Sequence, residues 1–168
     1  MDFEKLATPH GYCVFCEDIR QELNGKQTYV GVFVGSDLNI LGALPAAIGK
    51  FSINATYRQR QADGLEPVML EVHMPGDDDD KPTAQTEISF EELVQALPPP
   101  PADVDDPIIG MAMGFEFNPL EIKQEGRITV SAVKAGKRYR LGSLRVLSRP
   151  PVPVDPHQAA PETKEAAN

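Results

Sequence analysis

Cys13 and Cys16, three positions apart in the apolar run Tyr12-Cys13-Val14-Phe15-Cys16, are the first residues whose type and spacing could do chemistry. They could be half of a zinc site, a redox pair or a thiol nucleophile. The run reads as a strand, and on a strand residues three apart point to opposite faces. At about 3.3 Å per residue their Cα atoms stand roughly 10 Å apart, beyond the ~7 Å that a disulfide spans. Both are therefore expected to be free structural thiols. There is no second Cys-x-x-Cys, and His10, His73 and His157 lack ligand spacing. A nucleophile with His10 or His73 as its base is disfavoured as well, because aromatic and β-branched neighbours raise a thiol pKa rather than lower it.

Charge supplies the remaining candidates. Asp77, Asp78, Asp79 and Asp80, with Asp103, Asp105 and Asp106 further on, could offer oxygens to calcium. The D-x-D-x-D-G spacing is missing, however, and four adjacent like charges read as a solvated loop. Lys134, Lys137, Arg138, Arg140 and Arg145 are the basic counterpart. Arg138 and Arg140 share a face and could hold an anionic partner or simply balance the acidic loop. Asp18 and Arg20 also share a face, as a salt bridge or part of a recognition surface, whereas the adjacent carboxylates Glu17 and Asp18 diverge. Asp18, Arg20, Arg138 and Arg140 are thus the candidate binding residues. The four aspartates are weak metal candidates, and no catalytic residue or cofactor is indicated. Phosphate-cradling glycine loops, G-x-S-x-G and H-E-x-x-H are all missing from the sequence.

The net charge of −9 is unevenly spread: residues 77–106 carry −9 and residues 123–149 carry +7. A globally acidic chain argues against nonspecific nucleic-acid binding. The basic hairpin offers only Tyr139 for stacking, on the opposite face from its arginines.

The elements that position these residues are strands. Gly11–Arg20 and Gln27–Val34 form a hairpin about an Asn24-Gly25 turn, with Ile19 opposite Val30 and Cys16 opposite Phe33. Gly35–Gly49 reads as a loop. Phe51, Ile53, Ala55 and Tyr57 alternate with Ser52, Asn54, Thr56 and Arg58, predicting a strand with one wet face. Val68–Met74 and Ile109–Phe117 alternate likewise, and Thr86–Ile88 is a short strand. Ser89-Phe90-Glu91-Glu92 fits a capping box that opens a helix over Phe90–Leu97, ended by Pro98–Pro101 in polyproline conformation. Arg127–Val133, a turn at Ala135-Gly136 and Lys137–Leu147 close the domain, with a bulge at Gly142-Ser143.

About seven strands and one short helix predict an all-β, mostly antiparallel, immunoglobulin-like or Greek-key sandwich. Residues 1–9 form a lead and 10–147 the domain, with an acidic, proline-rich insert at 75–107 that holds the helix at 89–97. Residues 148–168, poor in large apolar groups, are expected to be a disordered tail. With 41% hydrophobic residues the chain can bury a core without a staple. The N-terminus lacks a secretory h-region and no apolar run is long enough to span a bilayer, so a cytoplasmic protein is expected, in keeping with free thiols.

The stretch from Tyr12 through Ile19-Arg20, then Gly25-Lys26 and Tyr29-Val30-Gly31-Val32-Phe33, resembles a family of bacterial and phage proteins filed as a domain of unknown function. Its members open on an apolar-F-C-[DE]-D-I-R strand. The likeness extends weakly to Pro45 and to Glu125-Gly126-x-Ile128. It implies a compact β domain, cytoplasmic or virion-associated, and brings no activity, cofactor or catalytic residue.

Three functions follow as expectations. The first is a non-enzymatic protein-binding or structural domain, without a membrane and with nucleic acid disfavoured. The second is a hydrolase or metal-dependent enzyme assembled from loop aspartates and Cys/His residues. The third is an anion or nucleic-acid binder through the basic hairpin.

Overall fold

A computed structural model describes residues 9–99 and 105–150. Residues 1–8 of the lead expected over 1–9, Pro100 and Pro101, Asp103, His157 and the tail from 151 onward lie outside the described residues.

The fold is an all-β sandwich. A three-stranded antiparallel sheet holds β1 (His10–Cys16), β6 (Phe51–Arg60) and β9 (Ile108–Phe117) in the order β1-β6-β9. The facing sheet comprises β4 (Asp37–Leu41), β12 (Lys137–Arg149), β11 (Gly126–Lys134), β7 (Val68–His73) and β8 (Ala84–Ile88), in the order β4-β12-β11-β7-β8. Two small ribbons complete it: β2 (Asp18–Gln21) with β3 (Gln27–Val30), and β5 (Ala46–Ile48) with β10 (Leu120–Ile122). Twelve strands thus stand among the described residues where about seven were expected in the domain.

Period-two alternation builds the core. Phe51, Ile53, Ala55 and Tyr57 of β6 face Val68, Leu70 and Val72 of β7, Ile128, Val130 and Ala132 of β11, and Leu144 and Val146 of β12, all fully buried. Full burial of an aliphatic side chain contributes roughly 1.5–3 kcal/mol, so this seam is the principal source of stability. The one α-helix among the described residues, α1 (Phe90–Ala96), starts where expected, with the Ser89 hydroxyl accepting from the Glu92 N–H at 3.3 Å. It drives Phe90 edge-on against Tyr57, 5.6 Å between centroids. The closing turn has Ala135 and Gly136 at φ 47° and 75°, the left-handed pair of a type I′ hairpin.

Several expectations are corrected. The first strand breaks at Glu17: β1 pairs with β6, whereas β2 pairs with β3. The β2–β3 register differs by one residue from that expected, with Asp18 opposite Val30 and Ile19 opposite Tyr29. The cause is the connection, a 3₁₀ turn over Leu23–Gly25 closed by Glu22 N–H to Lys26 O, instead of a two-residue turn. Residues 35–49 are not a loop throughout, since they contain β4 and β5. β4 makes the sheet mixed, pairing in parallel with β12 from Asp37↔Arg145 to Leu41↔Arg149. Strand β12 therefore runs past residue 147 through Ser148 and Arg149, both expected in the tail, and the Ser148 hydroxyl donates to Gly42 O at 2.7 Å.

β6 has no wet face up to Tyr57: Ser52, Asn54 and Thr56 are buried too. The β2–β3 ribbon covers Asn54, whose Nδ2 donates to Gln27 Oε1 at 3.0 Å and to the Tyr29 hydroxyl, and the Ser52 hydroxyl donates to Glu17 O, just before the ribbon, at 3.4 Å. The β12 bulge falls at Leu141, with Gly142 opposite Val130 and Arg140 opposite Ser131.

Candidate functional site

The outer face of the five-stranded sheet collects the polar side chains that alternate with the core. Two rows cross it, Glu71-Ser131-Arg140 and His73-Thr129-Ser143, taken from β7, β11 and β12. Arg127 lies beyond Thr129 on the same face, directly opposite Arg145. With the turn after β7 and residues 124–126 as walls, part of this face, including His73, Arg127, Thr129, Ser131, Arg138 and Arg140, lines a cleft of about 490 Å³ that Asp77 and Asp79 also border. The sheet supplies rigid positions, the arrangement a recognition surface needs.

The charges divide into engaged and free. Glu71 Oε2 takes Arg138 Nη2 at 3.0 Å and His73 Nε2 at 3.4 Å. Asp37 accepts both Arg145 Nε and Nη2, at 2.9 and 2.8 Å, which holds its carboxyl below the ordinary range and the guanidinium above its own. Arg149 Nε donates to Asn39 Oδ1 at 3.1 Å. Arg127 reaches only the Ser143 hydroxyl at 3.5 Å, and Arg140 has no partner among the described residues. Like charges directly opposite on neighbouring strands are unfavourable. In the Arg127/Arg145 pair only Arg145 is neutralised.

The acidic run is not simply solvated. Asp77 Oδ2 accepts from Met74 N–H, Thr83 N–H and the Thr83 hydroxyl at 2.8, 3.0 and 2.8 Å, holding the loop closed. Asp78 pairs with Lys81 at 3.5 Å. Arg138 Nη2 donates to Asp79 O at 3.2 Å, tying the loop to the hairpin. Among the described residues no group of three or more His, Cys, Asp or Glu side chains could hold a metal ion. Asp106 is spent locally, accepting from Ala62 N–H at 3.1 Å and facing Arg60.

Asp18 and Arg20 do meet, at 3.2 Å, but on the other side of the molecule. The closer partner of Asp18 is Lys50 at 2.6 Å, which also reaches Glu116 at 3.2 Å. These hydrogen bonds, Lys50 first, hold the Asp18 carboxyl below its ordinary value. The arrangement pins the β2–β3 ribbon to the three-stranded sheet, and it does not join the arginine cleft. Arg138 and Arg140 are thus brought together, and Asp18 and Arg20 are separate from them.

Cys13 and Cys16 are free thiols, as expected. Burial pushes Cys13 up to about 12, and burial also raises Cys16, whose thiol donates to Ser52 O at 3.7 Å. Neither is disposed to act as a thiolate near neutral pH.

Among the residues of the cleft that sequence reasoning missed are Arg127, Thr129 and Ser131 of β11. Their spacing at alternate positions of β11 was the available signal. It also counted Lys134 with the exposed basic residues, whereas Lys134 is 6% exposed. Its ammonium meets Gln59 Oε1, Asp63 O, Gly64 O and Glu66 Oε2 at 3.0, 2.8, 2.8 and 3.3 Å. No described helix is long and apolar enough to cross a membrane.

Comparison of this chain with known protein families, with curated proteins and with solved structures gives no match.

Proposed function

We propose that the protein is a non-enzymatic binding domain that receives an acidic segment of a partner protein on the outer face of its five-stranded sheet. One observation carries the reading: Arg127 and Arg140 line a single cleft without a carboxylate partner, while the neighbouring Arg138 and Arg145 are each paired. Exposed, unpaired guanidinium groups carried on rigid strands beside the Thr129 hydroxyl suit a carboxylate, which an arginine can take with two parallel hydrogen bonds.

Protein is favoured over nucleic acid by the placement of Tyr139. Its ring faces inward against Tyr57, 6.4 Å between centroids, with Lys137 Nζ 5.0 Å from its centroid. The arginine face therefore has no stacking platform from this hairpin. The hydrolase or metal-enzyme alternative loses support from the wide separation of its parts, since His73 lines the arginine cleft while Cys13 lies in a different one with Phe33 and Gly142.

An immunoglobulin-like, Greek-key description belongs to the same proposal, supported by strands such as β4 and β12 that are neighbours in space but distant in sequence. So does membership of the bacterial and phage family that the opening strand resembles, with a cytoplasmic or virion-associated setting favoured by the free thiols.

The test is fluorescence anisotropy with a labelled peptide bearing a run of Glu and Asp, beside a single-stranded oligonucleotide of equal charge. The peptide is expected to bind in a salt-dependent manner, and Arg127→Ala and Arg140→Ala are each expected to weaken it about tenfold. Tighter binding of the oligonucleotide would transfer the site to the nucleic-acid reading. Peptide binding indifferent to both substitutions would remove the cleft from the proposal.

A further inference from the structure

Strand β9 is an edge of the three-stranded sheet. It pairs with β6 along its whole length, and no described strand pairs with its far side. It lacks the devices that usually protect an edge, having no Pro and no Lys, and Glu116 is its single charge. On its inner face Met111 and Met113 are only half-buried, although their cross-strand neighbours on β6, Tyr57 and Ala55, are fully buried. The reason is width, since three strands face five. One more strand beside β9 would cover both methionines.

We propose that this strand is β9 of a second copy, joined antiparallel about a two-fold axis into a continuous six-stranded sheet. A two-fold pairing sets some residue opposite itself, and the sequence of β9 suits the register with Met113 on the axis. Met111 then faces Phe115, and Ile109 faces Phe117, on the inner side. Ala112 faces Gly114, and Gly110 faces Glu116, on the outer side. Apolar meets apolar, and small meets small.

Charge complementarity selects this register. Arg58 is the cross-strand neighbour of Gly110 on β6, and its stem lies over that glycine, with Cγ 3.0 Å from where a Cβ would stand. Arg58 is exposed and makes no ion pair among the described residues. Crossing the bare edge at Gly110, its guanidinium is directed at Glu116 of the second copy, and the symmetry forms this pair twice. Lys50 keeps its shorter bond to Asp18, so Glu116 is free to exchange partners.

Sedimentation velocity of the full chain over a concentration series tests the pairing. A reversible monomer–dimer equilibrium is expected. Arg58→Glu and Glu116→Arg are each expected to weaken dimerisation at least about tenfold, and the combined charge swap R58E/E116R to restore it. Unchanged circular dichroism establishes that the variants are folded. A wild-type chain that stays monomeric at every concentration would overturn the proposal. So would a dimer insensitive to either single change, or a double variant as weak as the singles.

Discussion

The Lys134 ammonium sits 3.0 Å from the side-chain carbonyl of Gln59, and the two residues belong to strands of opposite sheets. Gln59 is fully buried and accepts also from the Tyr57 hydroxyl at 3.1 Å, while its amide donates to Gly64 O at 2.6 Å. One buried cation thereby fastens the end of β11 to the end of β6 and to the turn after it. Burying a charge is tolerable only with such a set of acceptors.

Lys134→Met removes the cation and with it the donor to Gln59 Oε1, Asp63 O and Gly64 O at once. A loss of about 3 kcal/mol in urea unfolding is expected. Glu66→Gln is expected to cost far less, because Glu66 is 58% exposed in its side chain. Equal losses in the two variants would show that the ion pair, rather than the carbonyl acceptors, holds Lys134.

Gly142 is needed for the close approach of β1 to β12. A Cβ at position 142 would stand 2.2 Å from Cys13 Sγ. Gly142→Ala is expected to destabilise by about 1–3 kcal/mol through overpacking, and adding Cys13→Ala, which removes that sulfur, to recover part of the loss. Thermal unfolding of the single and double variants measures the coupling. Strict additivity would mean that the sulfur is not the obstacle.

Ala135 occupies the left-handed region at φ 47° in the β11–β12 turn. Asn tolerates that region better than Ala, as hairpin turns with Asn-Gly show. Ala135→Asn is therefore expected to stabilise by about 0.5–1 kcal/mol, read as a higher urea midpoint with unchanged slope.

Three carboxyls carry a pH dependence. Asp18 is lowered by Lys50 and Arg20, Asp37 by Arg145, and Glu66 by its own backbone N–H and then Lys134. Each is more acidic in the folded state than in the unfolded one, so their stabilisation is complete above the ordinary carboxyl range near ~4 and disappears as pH falls through the folded values. Urea midpoints are expected to decline below about pH 4.5, and Asp37→Asn to make that decline shallower. An unchanged acid slope in Asp37→Asn would remove the Arg145 pair from the account.

Alternation and local chemistry were enough to read much of the architecture from the sequence. The inward residues of β6, β7 and β9, the Ser89 cap and the Ala135-Gly136 turn follow from period two, from a hydroxyl three residues before an N–H, and from glycine's access to positive φ. The opposite faces of Cys13 and Cys16, and the shared face of Arg138 and Arg140, follow from the same period. These are properties of a few adjacent residues.

Other features depend on what packs against a segment, which adjacent residues do not specify. Ser52 and Asn54 look solvated until Glu17 and the β2–β3 ribbon lie against them. Residues 35–49 look like a loop until β12 offers Asp37–Leu41 a parallel partner. Lys134 reads as a surface charge until Gln59, Asp63 and Gly64 converge on it, and Arg127 gains significance only because β12 sets Arg145 opposite. Local sequence determined which residues alternate and where the chain turns, whereas only the tertiary structure decided which polar faces were covered and which charges were left unpaired, because burial and pairing are set by residues far away along the chain.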